Sequence, residues 1–250
     1  MLAPLIVAAR FLTVLPVPRR EAEEAISFGR AAWWFPAVGF LLGVALAVSD
    51  RVLSLAFPPL LSVGLVLALW KIATGGIHLD GLADCLDGLA GRDAEHRRAI
   101  MHDSRIGTFG ATGLILCLLV EFLALAALPS PVRGRLLLLA PVAGRLAPVL
   151  IGPCFRAATP GQGTGAAFLA ATSRRAGPVL FVVVAGLAMW ELGVWGALIM
   201  VDGMAMSALA SGALARRFGG VTGDVLGASV ELCELGVLLG GACLVHYGAL

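Results

Sequence analysis

The sequence predicts an all-α fold, a polytopic membrane helix bundle of about seven transmembrane helices, six at the fewest and eight at the most. Composition, apolar runs and the placement of the arginines all lead there. Of the 250 residues 59% are hydrophobic and 14% charged, and mean hydropathy is +0.95; soluble domains run at about 45–50% apolar and about 25% charged. A water-soluble chain of this length could not hide so much apolar surface, so a soluble enzyme, a secreted scaffold and a disordered protein are excluded. The apolar residues fall in runs near the roughly 20 residues a bilayer-crossing helix needs. The arginines crowd into alternate loops, as cytoplasmic loops require.

Taken in order, residues 1–17 are apolar but interrupted by Arg10 and Pro16; they read as an interfacial or half-inserted helix, not a cleaved leader. The first span covers 31–49, opening on Trp33-Trp34 at headgroup level and ending at Asp50-Arg51. Pro58-Pro59 turns the chain into a second span at about 60–78. The third and fourth cover 107–128 and 135–153, and residues 178–192 and 195–214 form a helical hairpin closed by Glu191-Leu192-Gly193. A last span covers about 225–246, and residues 1–250 form one integral-membrane catalytic domain.

With residues 18–30 placed in the cytoplasm, the cytoplasmic segments hold Arg19, Arg20, Arg30, Arg92, Arg97, Arg98, Arg105, Arg156, Arg174, Arg175, Arg216 and Arg217. The other side holds only Arg51, Arg133 and Arg135. Twelve against three obeys the positive-inside rule. Net charge is +2 and no basic run with interleaved aromatics occurs, so nucleic acid is not an expected partner. The five cysteines form no C-x-x-C pair and suggest neither a disulfide frame nor a zinc site.

The densest chemical pattern is Gly75-Gly76-Ile77-His78-Leu79-Asp80-Gly81-Leu82-Ala83-Asp84-Cys85-Leu86-Asp87-Gly88. Spacings of four and three place Asp80, Asp84 and Asp87 within about 60° of one helical face. Three unpaired carboxylates there would repel one another, and a divalent cation would remove that penalty. Carboxylate oxygens suit Mg²⁺ or Mn²⁺, and Mg²⁺ commonly shares its shell with water and substrate phosphate. Gly76 and Gly81 leave room for a phosphate or a second helix beside the acids. His78 points away from the acidic face if the helix already includes it.

Downstream, His102-Asp103-Ser104-Arg105-Ile106-Gly107-Thr108-Phe109-Gly110 precedes the third span. Free N–H groups at a helix start suit phosphate, Arg105 adds a forked cation, and Asp103 either caps the helix or completes a metal shell. A second acidic element, Gly219-Gly220-Val221-Thr222-Gly223-Asp224-Val225-Leu226-Gly227, is followed by Glu231 and Glu234. A shift of 144 lays Gly75-Gly76 over Gly219-Gly220, Asp80 over Asp224 and Asp87 over Glu231. Two half-sites facing each other across one cation site, or a chance likeness of two Gly- and acid-rich helices, both explain this. Lys71, Glu121, Arg145, Glu191 and Asp202 are further charges in apolar stretches; Lys71 and Arg145 either meet phosphates or pair with acids.

These residue types point to cation-assisted transfer of a phosphoryl-linked group at the cytoplasmic membrane surface, with a carboxylate accepting the proton of an attacking hydroxyl. The G-G-I-H-L-D-G-L-A-D-C-L-D-G-L, D-S-R-I-G-T-F-G and G-G-V-T-G-D-V-L-G-A stretches resemble three motifs of the adenosylcobinamide-GDP ribazoletransferases, also called cobalamin (5′-phosphate) synthases. F-L-T-V-L-P-V-P near the N-terminus and F-P-A-V-G-F-L-L-G at 35–43 also fit. The resemblance implies a bacterial inner-membrane enzyme joining adenosylcobinamide-GDP to α-ribazole or its 5′-phosphate, releasing GMP. It implies Asp80, Asp84, Asp87 and Asp224 as Mg²⁺ ligands. Asp80, Asp84, Asp103 and Asp224 become the catalytic candidates, and His78, Gly76, Gly81, Ser104 and Arg105 the contacts to substrate and phosphate. Oligomerisation is left open. Two other classes share part of the pattern. A CDP-alcohol phosphotransferase has an Asp-rich membrane helix, but its D-G-x-x-A-R and G-x-x-x-D-x-x-x-D continuation is missing here. A cation-coupled transporter would carry its acids near the midplane on broken helices.

Overall fold

The computed structural model describes residues 3–16 and 28–250. Arg19 and Arg20, counted in the charge argument, lie outside the described residues. The described chain forms helices α1 (Ala3–Leu12), α2 (Phe28–Ala32), α3 (Phe35–Ala56), α4 (Pro59–Ala73), α5 (Ile77–Gly88), α6 (Ala94–Met101), α7 (Thr108–Ala127), α8 (Ser130–Ile151), α9 (Gly163–Ala171), α10 (Ala176–Phe218) and α11 (Gly223–His246). No strand occurs among the described residues beyond a single bridge between Ala157 and Val221. The proline punctuation works as the sequence implies: α3, α4 and α8 each carry proline in their first two positions, where its missing N–H costs nothing and its fixed φ is already helical.

Helices α3, α7, α8, α10 and α11 are each long and apolar enough to cross a bilayer, and α4 with α5 makes a sixth if that pair, bent by 86°, is taken as one. The 43 residues of α10 are not one rod. Gly193 has φ 61 and ψ −149, outside the helical region. A Cβ on Gly196 would collide with the carbonyl oxygen of Ala188, which an unbroken helix holds about 12 Å of rise away. Gly177, at the start of α10, packs on Leu150, and Gly212, near its end, packs on Phe155. Both termini of α10 therefore sit at the same end of the bundle. Residues 176–192 and 194–218 are the two arms of the expected hairpin; counting them separately gives six crossings among the described residues, and seven with α4 and α5 taken as one.

Helix α8 is the axis of the bundle. Some 83% of its most apolar stretch is buried, against 33% for α3 and 22% for α10, whose outer faces are left for lipid. Gly39 and Gly43, one turn apart on α3, bring that helix onto the backbone of α8 at Pro141 and Leu138, the close approach small residues permit in membranes. Several span boundaries differ from expectation; the first span begins at Phe35, not 31, and the fourth at Ser130, not 135. The first span does not end at Asp50-Arg51 but runs on to Ala56, because Asp50 is buried and accepts from Arg133 Nε at 2.9 Å; a paired charge need not leave the helix. The second span stops at Ala73, and the left-handed glycines Gly75 (φ 63) and Gly76 (φ 67) turn the chain sharply into α5.

Every motif-bearing segment returns to one end. Val14 N–H donates to Ala73 O at 2.9 Å, Arg98 Nη1 to Phe218 O at 2.6 Å, and Val221 N–H to Arg156 O at 2.8 Å. Helix α1 is ten residues long, about 15 Å and too short to cross, and it buries Ala8 and Leu12 beside Phe35 of α3.

Candidate active site

The start of α5 crosses the start of α11 at a point of backbone contact. A Cβ on Gly81 would lie 3.0 Å from Asp224 Cα and 2.8 Å from its carbonyl oxygen, so any larger residue would push the helices apart. Thr222 caps α11, its hydroxyl accepting from Val225 N–H at 3.2 Å and lying 3.3 Å from Asp224 Oδ2. The crossing brings Asp80 and Asp224, 144 positions apart, onto the wall of one cavity of about 230 Å³. The two acidic elements do face each other there. Asp84, one turn beyond Asp80, is half-buried and within electrostatic range of Asp80 and Asp224. None of the three makes an ion pair with a described basic residue.

The rest of the cavity is largely apolar. Phe11, Phe35 and Phe168 form an aromatic wall, with ring centroids 6.0 Å and 5.5 Å apart in sequence along the stack. Thr164, Gly165 and Gly223 contribute to the lining, and His78 joins it from the buried side of α5. His78 Nδ1 is buried and without a hydrogen-bond partner. Gly76 ends the turn before α5 and its carbonyl accepts from Asp80 N–H at 2.8 Å, which fixes where that acid starts on the helix.

Asp87 does something else. Its two oxygens accept from Gly107 N–H at 2.7 Å and Gly110 N–H at 2.8 Å. It thus supplies the acceptor that the first turn of α7 lacks, and it does not line the cavity. The expected likeness of Asp87 to Glu231 fails for the same reason, because Glu231 is paired elsewhere. Asp103, Ser104 and Arg105 are exposed. Arg105 folds onto Asp103, with Nη2 to Oδ2 at 2.6 Å, and this bonding holds the Asp103 carboxyl down at about 2. The Arg105 guanidinium is turned to its neighbour, not to the cavity, while His102 lies within electrostatic range of Asp224.

The carboxylates suit a divalent cation in their chemistry: three oxygen donors of one sign, unneutralised by protein, at the edge of a wettable cavity. They are more widely set than a closed protein cage. Among the described residues, only Cys117, Glu121 and Glu231 bring three ligand atoms within 4.8 Å of one another. That tighter trio already has its cation, because Lys71 Nζ lies 3.0 Å from Glu121 Oε1 and 2.6 Å from Glu231 Oε2. Lys71 also lies 3.6 Å from Glu234 Oε2, and Glu234 bonds Arg145. Five charged side chains from α4, α7, α8 and α11 thus form one buried network. Lys71 and Arg145 pair with acids, and neither lines the cavity. Pairing with acids is thus the one of the two expected roles of Lys71 and Arg145 that the structure shows; the signal for it was that two bases and three acids in apolar stretches need one another.

The chain is similar to known proteins along nearly its whole length. A family model described as cobalamin-5-phosphate synthase matches residues 4–242. An adenosylcobinamide-GDP ribazoletransferase of Pseudomonas paraeruginosa is 41% identical over 240 residues, covering 95% of this chain and 97% of that protein. Proteins of the same name are 42% identical in Ectopseudomonas mendocina, over 96% of this chain and 98% of the relative, and 37% identical in Desulfitobacterium hafniense, over 96% of each. No solved structure matches. With the family model spanning nearly the whole chain and relatives near 40% identity end to end, this multi-pass helical membrane protein belongs to the cobalamin-5-phosphate synthase family.

Proposed function

We propose that the chain is an adenosylcobinamide-GDP ribazoletransferase that joins adenosylcobinamide-GDP to α-ribazole or α-ribazole 5′-phosphate, releasing GMP, with its site open to the cytoplasm of a bacterial inner membrane. The observation that carries the reading is the meeting of Asp80 and Asp224 in one cavity with an aromatic wall. A hydroxylated, flat-ringed acceptor fits such a space: its base lies against Phe35 and Phe168, and its ribose reaches the carboxylates. The ribazole hydroxyl oxygen attacks the phosphorus next to the corrinoid's aminopropanol arm. The bond from that phosphorus to the bridging oxygen breaks, and GMP leaves with the electron pair. Asp224 or Asp80 takes the hydroxyl proton, a contribution of about 10²–10⁴ in rate.

Asp80, Asp84 and Asp224 are the residues to hold Mg²⁺ or Mn²⁺. When bound, the ion would neutralise the diphosphate and the departing phosphate. Asp87 is left out of this set because its oxygens serve α7. Purified protein in lipid, given adenosylcobinamide-GDP, α-ribazole and Mg²⁺, releases GMP and forms a cobalamin on this reading. Asp80→Asn and Asp224→Asn each lose at least about a hundredfold of that rate. No GMP from the wild type would reject the function; full Mg²⁺-dependent activity in both variants would reject the site.

A further inference from the structure

Beside the cavity, across the strand-like pairing of Val221 with Ala157, lies a second pocket of about 360 Å³ lined by Arg156, Arg216, Gly219 and Gly220. Arg98 stands at its rim, with Nη1 3.3 Å from where a Cβ on Gly219 would sit. Helix α10 ends here, and its last carbonyls would ordinarily repel an anion. They are covered instead: Arg97 Nη1 donates to Arg217 O at 3.1 Å and Arg98 Nη1 to Phe218 O at 2.6 Å. Arg97 Nε is buried without a partner. Among the described residues, no carboxylate lies within ion-pair distance of Arg97, Arg98, Arg156, Arg216 or Arg217. This is an excess of forked cationic donors around a cavity, with the opposing helix end neutralised. Planar guanidiniums in that arrangement suit phosphate oxygens.

We propose that this pocket is a phosphate-binding site, with Arg156 and Arg216 as its principal ligands. Two sources carry the same chemistry: the nucleotide phosphate of the donor substrate and the headgroup of an anionic lipid. The nucleotide source rests on the function proposed above. It is within reach, because Val221 is bonded to Arg156 and stands three residues, at most about 11 Å of chain, before Asp224.

The test uses the full chain in nanodiscs of zwitterionic lipid with EDTA present, and GMP as the probe. Arg156→Gln/Arg216→Gln weakens GMP binding at least about tenfold, the order expected on losing one charge-assisted bond. If GMP affinity is unchanged or absent, retained phosphatidylglycerol is measured by native mass spectrometry after reconstitution in mixed lipid. Its loss in the double variant assigns the pocket to a lipid phosphate. If neither probe distinguishes the double variant from the wild type, the site is overturned. Arg156→Lys/Arg216→Lys, with the same thermal midpoint, separates loss of charge from loss of fold by retaining part of the affinity. Failure of the function itself is read separately, as no GMP released from adenosylcobinamide-GDP by the wild type.

Discussion

Replacing Lys71 by methionine tests the buried network most directly. In the structure Lys71 Nζ touches Glu231 at 2.6 Å and Glu121 at 3.0 Å and lies 3.6 Å from Glu234, and all three acids are at most 1% exposed. With every group ionised, the network of Lys71, Arg145 and three glutamates carries one net negative charge, and Lys71→Met makes it two. Removing one partner from a buried ion pair costs about 3–5 kcal/mol, a large part of the roughly 5–15 kcal/mol by which a folded chain is stable. Reversible unfolding of the protein in detergent, followed by tryptophan fluorescence, gives the loss directly. The companion variant is Lys71→Met/Glu231→Gln. If the cost comes from stranded charge, deleting the nearest carboxylate recovers much of it, so the pair is strongly non-additive. Lys71→Met matching the wild type, or a double variant at the sum of its singles, would refute the electrostatic reasoning.

Two further outcomes follow from the neighbouring contacts. Asp87→Asn removes two charge-assisted bonds to the first turn of α7; it lowers stability by about 1–3 kcal/mol and leaves the Mg²⁺ concentration for half-maximal activity unchanged, whereas a metal ligand would raise it. The Asp103–Arg105 pair is sensitive only to strong acid. Its folded-state carboxyl sits at about 2, below the ordinary value of about 3.9, so whatever stability the pair adds is fully present above pH 4 and is lost as pH falls through 2. The thermal-midpoint difference between wild type and Arg105→Ala is therefore constant from neutrality to pH 4 and closes below it.

Local patterns were readable in the sequence and distant pairings were not. Trp33-Trp34, Pro58-Pro59 and the runs of apolar residues located the spans because lipid imposes one rule on every residue in them. The reversal at Gly193 was legible because Glu191-Leu192-Gly193 separates two apolar runs, 178–192 and 195–214. The acids of α5 were legible by helical spacing, and the match of Asp80 with Asp224 survived as a spatial meeting. What Asp87 bonds was not legible, because spacing reports which face a side chain shares, not what stands opposite; here that is the backbone of Gly107 and Gly110. Nor did the sequence show that Arg105 bonds Asp103, two residues away. The Lys71 network joins residues 50 and 160 positions apart, and Asp50 with Arg133 spans 83. Only packing brings such partners together.

The shortness of α4 has a consequence for how water and lipid meet at this protein. Fifteen helical residues cover about 22 Å, whereas the hydrocarbon layer is about 30 Å thick. If Pro59 marks the far boundary, the chain turns into α5 some way below the near one, and the aspartates lie in a dimple beneath the leaflet surface. On the function proposed above, both substrates would then have to reach below the leaflet surface to meet at the aspartates. Membrane thickness becomes a variable of the reaction: a thicker bilayer deepens the dimple, and a thinner one brings the carboxylates level with the headgroups.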